Sequence, residues 1–283
     1  MFRNTASGSA RWIQLAGAAS ALPRPTRRRS LRTRLVGALG ALSLIGGLSI
    51  TAAGPATAAS VPNISGNWAG YVATGTNITS VTGSWTVPNA GTVPPGVSAT
   101  WVGIGGYNTS DLIQAGTQQS GAPYNSVFAG GAYGAWYELL PASPVYFNCP
   151  GTSSPCPVAP GDHMSVTITN TGGDSWSIDM TDTGKWSYTN TTINYASLES
   201  SAEWIHEAPS AAGAVPIPVG NSGTVTFDGA NSAVINGAID TIGGSNAVST
   251  VALPVETTVS ALDSEGDGFS VCTYSLSCSA PPS

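Results

Sequence analysis

The polar chemistry open to this chain is set by a short inventory: two histidines, four cysteines and fifteen carboxylates among 283 residues. His163 and His206 are too few for a His-rich metal site, and no H-E-x-x-H pair occurs. Neither histidine is accompanied by a G-x-S-x-G nucleophile elbow, and no phosphate-cradling loop or dinucleotide fingerprint is present. His163 falls in Pro160-Gly161-Asp162-His163, a turn sequence that puts it at the surface. The reactive groups must then be carboxylates, amides and hydroxyls.

Three glutamates stand beside aromatic residues. Glu138 closes Ala135-Trp136-Tyr137-Glu138, and Glu203 and Glu207 lie in Ala202-Glu203-Trp204-Ile205-His206-Glu207. On a strand, Glu203, Ile205 and Glu207 share one face, with Trp204 and His206 on the other. Two carboxylates on one face lining a groove would supply acid and base groups with environment-shifted pKa values; an exposed edge face is the ordinary alternative. Gln114, in Asp111-Leu112-Ile113-Gln114-Ala115-Gly116, shares a face with Leu112. A neutral amide donates a hydrogen bond at any pH, which suits it to stabilising an oxyanion in acid, where a histidine would be charged. A purely structural glutamine would also fit that position.

The elements that must position these residues are strands. Gly, Ser, Thr, Val, Trp and Tyr dominate beyond the first sixty or so residues, a composition that disfavours helices. Period-two alternation recurs between turn residues. Val81, Trp85 and Val87 share a face with Gly83 between them; Met164, Val166 and Ile168 form another stripe. Trp176, Ile178 and Met180 follow the turn Thr171-Gly172-Gly173-Asp174 and complete a hairpin. Further runs carry Val225 and Phe227, Val251 and Leu253, and Val271. About a dozen short strands in one domain predict an all-β sandwich of two antiparallel sheets, of the lectin or glucanase kind.

Charge divides the chain sharply. Eight of the nine Lys/Arg residues lie within the first 34 positions, Lys185 is the ninth, and all fifteen Asp/Glu lie beyond residue 110. Arg24, Arg27, Arg28, Arg29, Arg32 and Arg34, the apolar run Leu35 to Ile50 and the small-residue site Ala56-Thr57-Ala58 read as an export signal over residues 1–59. The apolar run is shorter than the ~20 residues that span a bilayer. Residues 60–283 then form one secreted, extracellular domain carrying fifteen acids against one lysine, or −14 with neutral histidines. Such a surface argues against nucleic-acid and anionic-membrane partners, and no interface signal suggests more than a monomer. Near pH ~4 its mutual repulsion fades, so the domain reads as acid-adapted. Cys149 with Cys156 and Cys272 with Cys278 bracket short loops; two local disulfides are the simplest of three connectivities, and neither spacing matches a zinc site.

Taken in order, the segments resemble the glutamic peptidases, or eqolisins. Asn67-Trp68-Ala69-Gly70-Tyr71, Thr100-Trp101-Val102-Gly103-Ile104-Gly105-Gly106, Leu112-Ile113-Gln114-Ala115-Gly116 and the two glutamate segments carry the resemblance. It implies a β-sandwich and places Gln114 and Glu207 at the positions of a catalytic pair. Trp68, Trp136 and Glu138 fall at positions lining the substrate groove, with Glu203 a nearby carboxylate. The implied activity is endopeptidase cleavage of protein or peptide substrates by direct water attack, with no metal, cofactor or covalent intermediate. Gly105 and Gln118 stand where fungal members carry aspartates, which leads one to expect glutamates of lower pKa and an altered pH optimum, open to test by Gly105→Asp. His206 replaces an aliphatic residue and reads as structural. The rival reading is a carbohydrate-active or carbohydrate-binding sandwich. Four strand residues separate Glu203 from Glu207 by ~13 Å, beyond the ~5–9.5 Å between glycosidase carboxylates unless a bulge intervenes.

Overall fold

Alternating apolar and polar residues become strands throughout the computed structural model, which describes residues 63–91, 93–126, 129–210, 217–244, 248–252 and 257–283. The export-signal segment and Leu253 lie outside the described residues. In chain order the strands are β1 (Asn63–Ser65), β2 (Trp68–Thr74), β3 (Ile78–Thr86), β4 (Val97–Gly105), β5 (Leu112–Ser120) and β6 (Tyr133–Leu139). Then come β7 (Val145–Tyr146), β8 (His163–Gly172), β9 (Ser175–Asp182), β10 (Trp186–Asn194), β11 (Ser201–Glu207) and β12 (Thr224–Phe227). The last are β13 (Ser232–Ile235), β14 (Ala238–Thr241), β15 (Val248–Ala252), β16 (Thr257–Val259) and β17 (Phe269–Thr273). No helix occurs among the described residues.

The strands form two sheets. The first runs β1-β15-β2-β11-β4-β5-β6-β7; the second runs β10-β9-β8-β3-β12-β17-β16, with β13 also on β3 and β14 on β13. Strand pairs are antiparallel except β1 with β15. The expected hairpin is β8–β9. Its turn is tighter than the four residues predicted, because Gly172 already pairs with Ser175 and a register shift after Asn170 absorbs the extra residue. Gly173 takes a positive φ of 59° at the turn itself.

The main core lies between the sheets. Ala69, Tyr71, Val102, Ile104, Ile113, Ala115, Ala202 and Trp204 from the first sheet meet Val81, Trp85, Met164, Val166, Ile168, Ile178, Met180, Phe227, Phe269 and Val271 from the second. The stripes read from the sequence are thus the inward faces of β3, β8, β9, β12 and β17. Stacked Phe227 and Phe269, with centroids 4.7 Å apart, join β12 to β17. Both expected disulfides, Cys149–Cys156 and Cys272–Cys278, are formed. Lys185 pairs with Asp162 and stands 3.7 Å from Asp182.

At Gly83 the second sheet comes up close against side chains of the first. A Cβ there would lie 2.3 Å from Val102 Cγ1 and 3.0 Å from Trp204 Cδ1. Gly83→Ala is therefore expected to destabilise the domain by about 1–3 kcal/mol, as overpacking does. Denaturant unfolding checks it: the midpoint should fall, and an unchanged midpoint would mean the sheets separate freely at this point.

Candidate active site

Strand alternation sends the other residues of the first sheet to its outer face, and the register lines them up in rows. One row is Trp68, Glu207, Ala99, Gln118 and Gly134. The next is Gly70, Ile205, Trp101, Gly116 and Trp136; the third is Val72, Glu203, Gly103, Gln114 and Glu138. Glycines alternate with large rings for a steric reason. A Cβ at Gly116 would sit 2.5 Å from Trp101 Cβ and 2.2 Å from Thr100 O, so the indole row needs a residue without a side chain there.

This face is dry. Trp68, Val72, Val97, Ala99, Trp101, Leu112, Trp136 and Ile205 form a second apolar cluster, against which Tyr146 of β7 packs, with Tyr107, Tyr124, Leu140 and Ile217 from the connecting segments. Gln114, Glu138, Glu203 and Glu207 are all buried within it, with Glu207 the most accessible at 4%. The expected groove residues Trp68, Trp136 and Glu138 are likewise covered rather than open to solvent.

Glu207 at the end of β11 is held by two donors. Asn67 Nδ2 donates to Oε1 at 2.6 Å and Trp101 Nε1 to Oε2 at 2.8 Å. The Trp68 indole packs edge-on against Trp101, centroids 5.0 Å apart; its N–H lies near the carboxylate but outside normal hydrogen-bond geometry. Gln114 Nε2 donates to Glu138 Oε2 at 2.7 Å, while Gln114 Oε1 and Glu138 Oε1 are buried with no hydrogen-bond partner among the described residues. Gln114 and Glu207 share the face two strands and four residues apart, and no hydrogen bond joins them directly. Glu138 links them electrostatically, since the charge of Glu207 reaches it.

Burial dominates the electrostatics. Desolvation pushes Glu207 up to about 8, against the downward pull of its N–H donors. Desolvation and then Glu207 push Glu138 up to about 9, against the Gln114 bond. Glu203 is raised well above the ordinary value by burial and then by Asp111. The expectation of more acidic glutamates is a comparison with fungal members that carry aspartates at these positions; against the ordinary value, burial raises all three although Gly105 and Gln118 are neutral. Gly105→Asp cannot serve as the test of that comparison. Gly105 has a φ of +88°, and a Cβ there would lie 2.6 Å from Asp111 O. Gln118 is engaged elsewhere, donating to Gly131 O at 2.8 Å and accepting from Tyr146 Oη at 2.5 Å.

His206 points to the inter-sheet side, where Nδ1 meets Thr100 Oγ1 at 3.0 Å, and burial lowers it to about 3. His163 is exposed at the start of β8, 3.3 Å from Thr86 Oγ1. Glu203 and Glu207 stay on an unbroken register from Ser201 to Glu207, so no bulge brings them to glycosidase spacing. Asn67 and Trp101 stand in the quoted motifs, but their contact with Glu207 is not assigned by the sequence. Their signal was available in part: Trp101 and Gly103 alternate against Val102 and Ile104, which marks Trp101 as facing away from the core.

Comparison with known proteins agrees with this geometry. Aspergillopepsin-2 of Aspergillus niger is 29% identical over 191 residues, 59% of this chain and 64% of that relative. The chain thus spans somewhat under two thirds of the length of this curated relative. The crystal structure of scytalido-glutamic peptidase with a peptide-based transition-state analogue superposes with a TM-score of 0.59 at 22% identity, covering 74% of this chain and 98% of that one. SCP-B, a member of the eqolisin family in complex with the tripeptide Ala-Ile-His, gives 0.57 at 20% identity over the same shares. At these identities the two structures establish the sandwich fold. The model of the Peptidase A4 family matches residues 66–274, from just before the Asn67 donor to just beyond β17. By that match, over well more than half its length, this chain belongs to the Peptidase A4 family, the glutamic peptidases or eqolisins.

Proposed function

We propose that this protein is a secreted, acid-working endopeptidase in which Glu207 and Gln114 act on a water molecule and a peptide carbonyl, with no metal or covalent intermediate. The observation that carries this reading is the Glu207 carboxylate held by two N–H donors on the same dry face as a Gln114–Glu138 pair. Membership of the Peptidase A4 family supports the reaction class.

Glu207 is the better base of the two coupled glutamates. Its carboxylate receives two N–H donors, Asn67 Nδ2 and Trp101 Nε1, which suit the ionised form, whereas Glu138 receives one, from Gln114. Water entering with a substrate reverses part of the desolvation and makes that form accessible at lower pH. Ionised Glu207 removes a proton from the water as its oxygen bonds to the carbonyl carbon. The carbonyl π electrons move to oxygen, and Gln114 Nε2–H, whose second hydrogen is free of Glu138, stabilises the oxyanion. The tetrahedral intermediate collapses with cleavage of the C–N bond. Glu207 returns its proton to the departing amine, leaving a carboxylic acid and an amine.

Glu207→Gln and Gln114→Ala are each expected to lower kcat on a denatured protein substrate at pH 3 to 4 by about 10²–10³ or more, with a chelator leaving the wild-type rate unaltered. Full activity in either folded variant would sink the dyad.

Acid operation has a counterpart in stability. Glu138 and Glu207 have folded values above the ordinary 4.5, so their contribution is fully present below 4.5 and is lost as pH rises through about 8 and 9. Glu203 acts in the same direction. His206, at about 3 against an ordinary 6.5, acts oppositely: its contribution is complete above 6.5 and declines as pH falls towards 3. Three carboxyls outweigh one imidazole above 4.5, and the imidazole prevails below it. The melting temperature should therefore peak near pH 4.5 and fall on both sides. Thermal melts across pH 3 to 9 check this, and a maximum at pH 7 to 8 would contradict it.

A further inference from the structure

Among the described residues Glu138 is the carboxyl hydrogen-bonded to Gln114, and the mechanism above leaves it idle. We propose that neutral Glu138 is itself a catalytic residue: its carboxyl O–H is a second hydrogen-bond donor to the oxyanion, beside Gln114 Nε2. This rests on the Glu207–Gln114 reading and extends it.

The geometry carries the argument. β5 and β6 place Gln114 directly opposite Glu138, and the 2.7 Å bond uses Glu138 Oε2 as acceptor. The other oxygen, Oε1, is buried without a partner among the described residues. If Glu138 were ionised, its shared charge would be buried with one hydrogen bond, at Oε2, and none at Oε1, which is strongly unfavourable. If Glu138 is protonated there, the same atom becomes a free O–H donor next to the spare N–H of Gln114. Two donors side by side, in a site closed to water, are what a developing oxyanion needs.

The surroundings favour the neutral form from every side. Glu207 on β11 adds a repelling charge, and burial and that charge together raise Glu138 to about 9. Tyr195, after β10, stands near enough to feel Glu138 and Asp111, and its hydroxyl is committed to Leu140 O and Leu112 N. No cation among the described residues balances an ionised Glu138. Lys185 pairs with Asp162, His163 is exposed at the start of β8, and His206 points between the sheets. The Glu138 proton is never transferred: it stays on Oε1 throughout, and the donor role ends when that proton is lost at high pH.

The test is the pH dependence of kcat and KM for wild type, Glu138→Gln, Glu138→Leu and Glu207→Gln, each checked for folding by its melting curve. Glutamine keeps both the acceptor and a donor but cannot ionise. Glu138→Gln should hold kcat within about tenfold of wild type and lose the alkaline limb of the profile, while Glu138→Leu should lower kcat by about 10²–10³ with a much smaller change in KM. A folded Glu138→Gln as inactive as the leucine variant, or one retaining the wild-type alkaline limb, would overturn the proposal; so would a fully active Glu138→Leu. Should the leucine variant not fold, the isosteric glutamine variant decides alone. Loss of activity in Glu207→Gln beside full activity in Glu138→Leu removes only the Glu138 role, whereas an active Glu207→Gln removes the dyad and this donor with it.

Discussion

Withdrawing three glutamates from water on one sheet face, with no cation among the described residues to receive them, is the constraint around which this molecule is organised. A carboxylate moved into an apolar site either finds donors or keeps its proton. Glu207 finds Asn67 and Trp101; Glu138 finds one N–H from Gln114; Glu203, lodged between Val72 and Gly103, lies well above the ordinary range. The graded supply of donors gives three identical side chains different surroundings.

The sandwich makes this arrangement affordable to hold in place. Its core lies between the sheets, where Phe227, Phe269, Trp204 and the β8–β9 stripes pack, so the outer face of the first sheet is relieved of the main stabilising task. That face carries a smaller apolar cluster of its own, covered by Tyr107, Tyr124, Leu140, Tyr146 and Ile217. Rings on the strands and rings on the loops together keep water from the carboxyls, which strengthens each N–H bond made there.

Much of this was legible in the sequence because strand alternation is local. The inward stripes of β3, β8 and β9, the two disulfides and the shared face of Glu203 and Glu207 follow from spacing within one segment. The positions of Gln114 and Glu138 came from motif, but their adjacency is a property of cross-strand register, which no single segment contains. Asn67 donates to a residue 140 positions away, and its role appears only once β2 and β11 are paired. The raised glutamates are hidden from the sequence for the same reason. Counting charges shows that Gly105 and Gln118 are neutral, whereas the residues that exclude water and raise Glu138, Glu203 and Glu207 above the ordinary value come together only in the folded chain.

Lys185 bears on how long such a protein would last among other hydrolases. After Arg34 it is the only lysine or arginine in the chain, so a trypsin-type protease has one peptide bond to attack between there and the C-terminus. That lysine is pinned by Asp162 beside Asp182, in the short turn that joins β9 to β10. A fold whose buried carboxyls meet no cation among the described residues has, by the same choice of residues, left basic-specific proteases almost nothing to recognise.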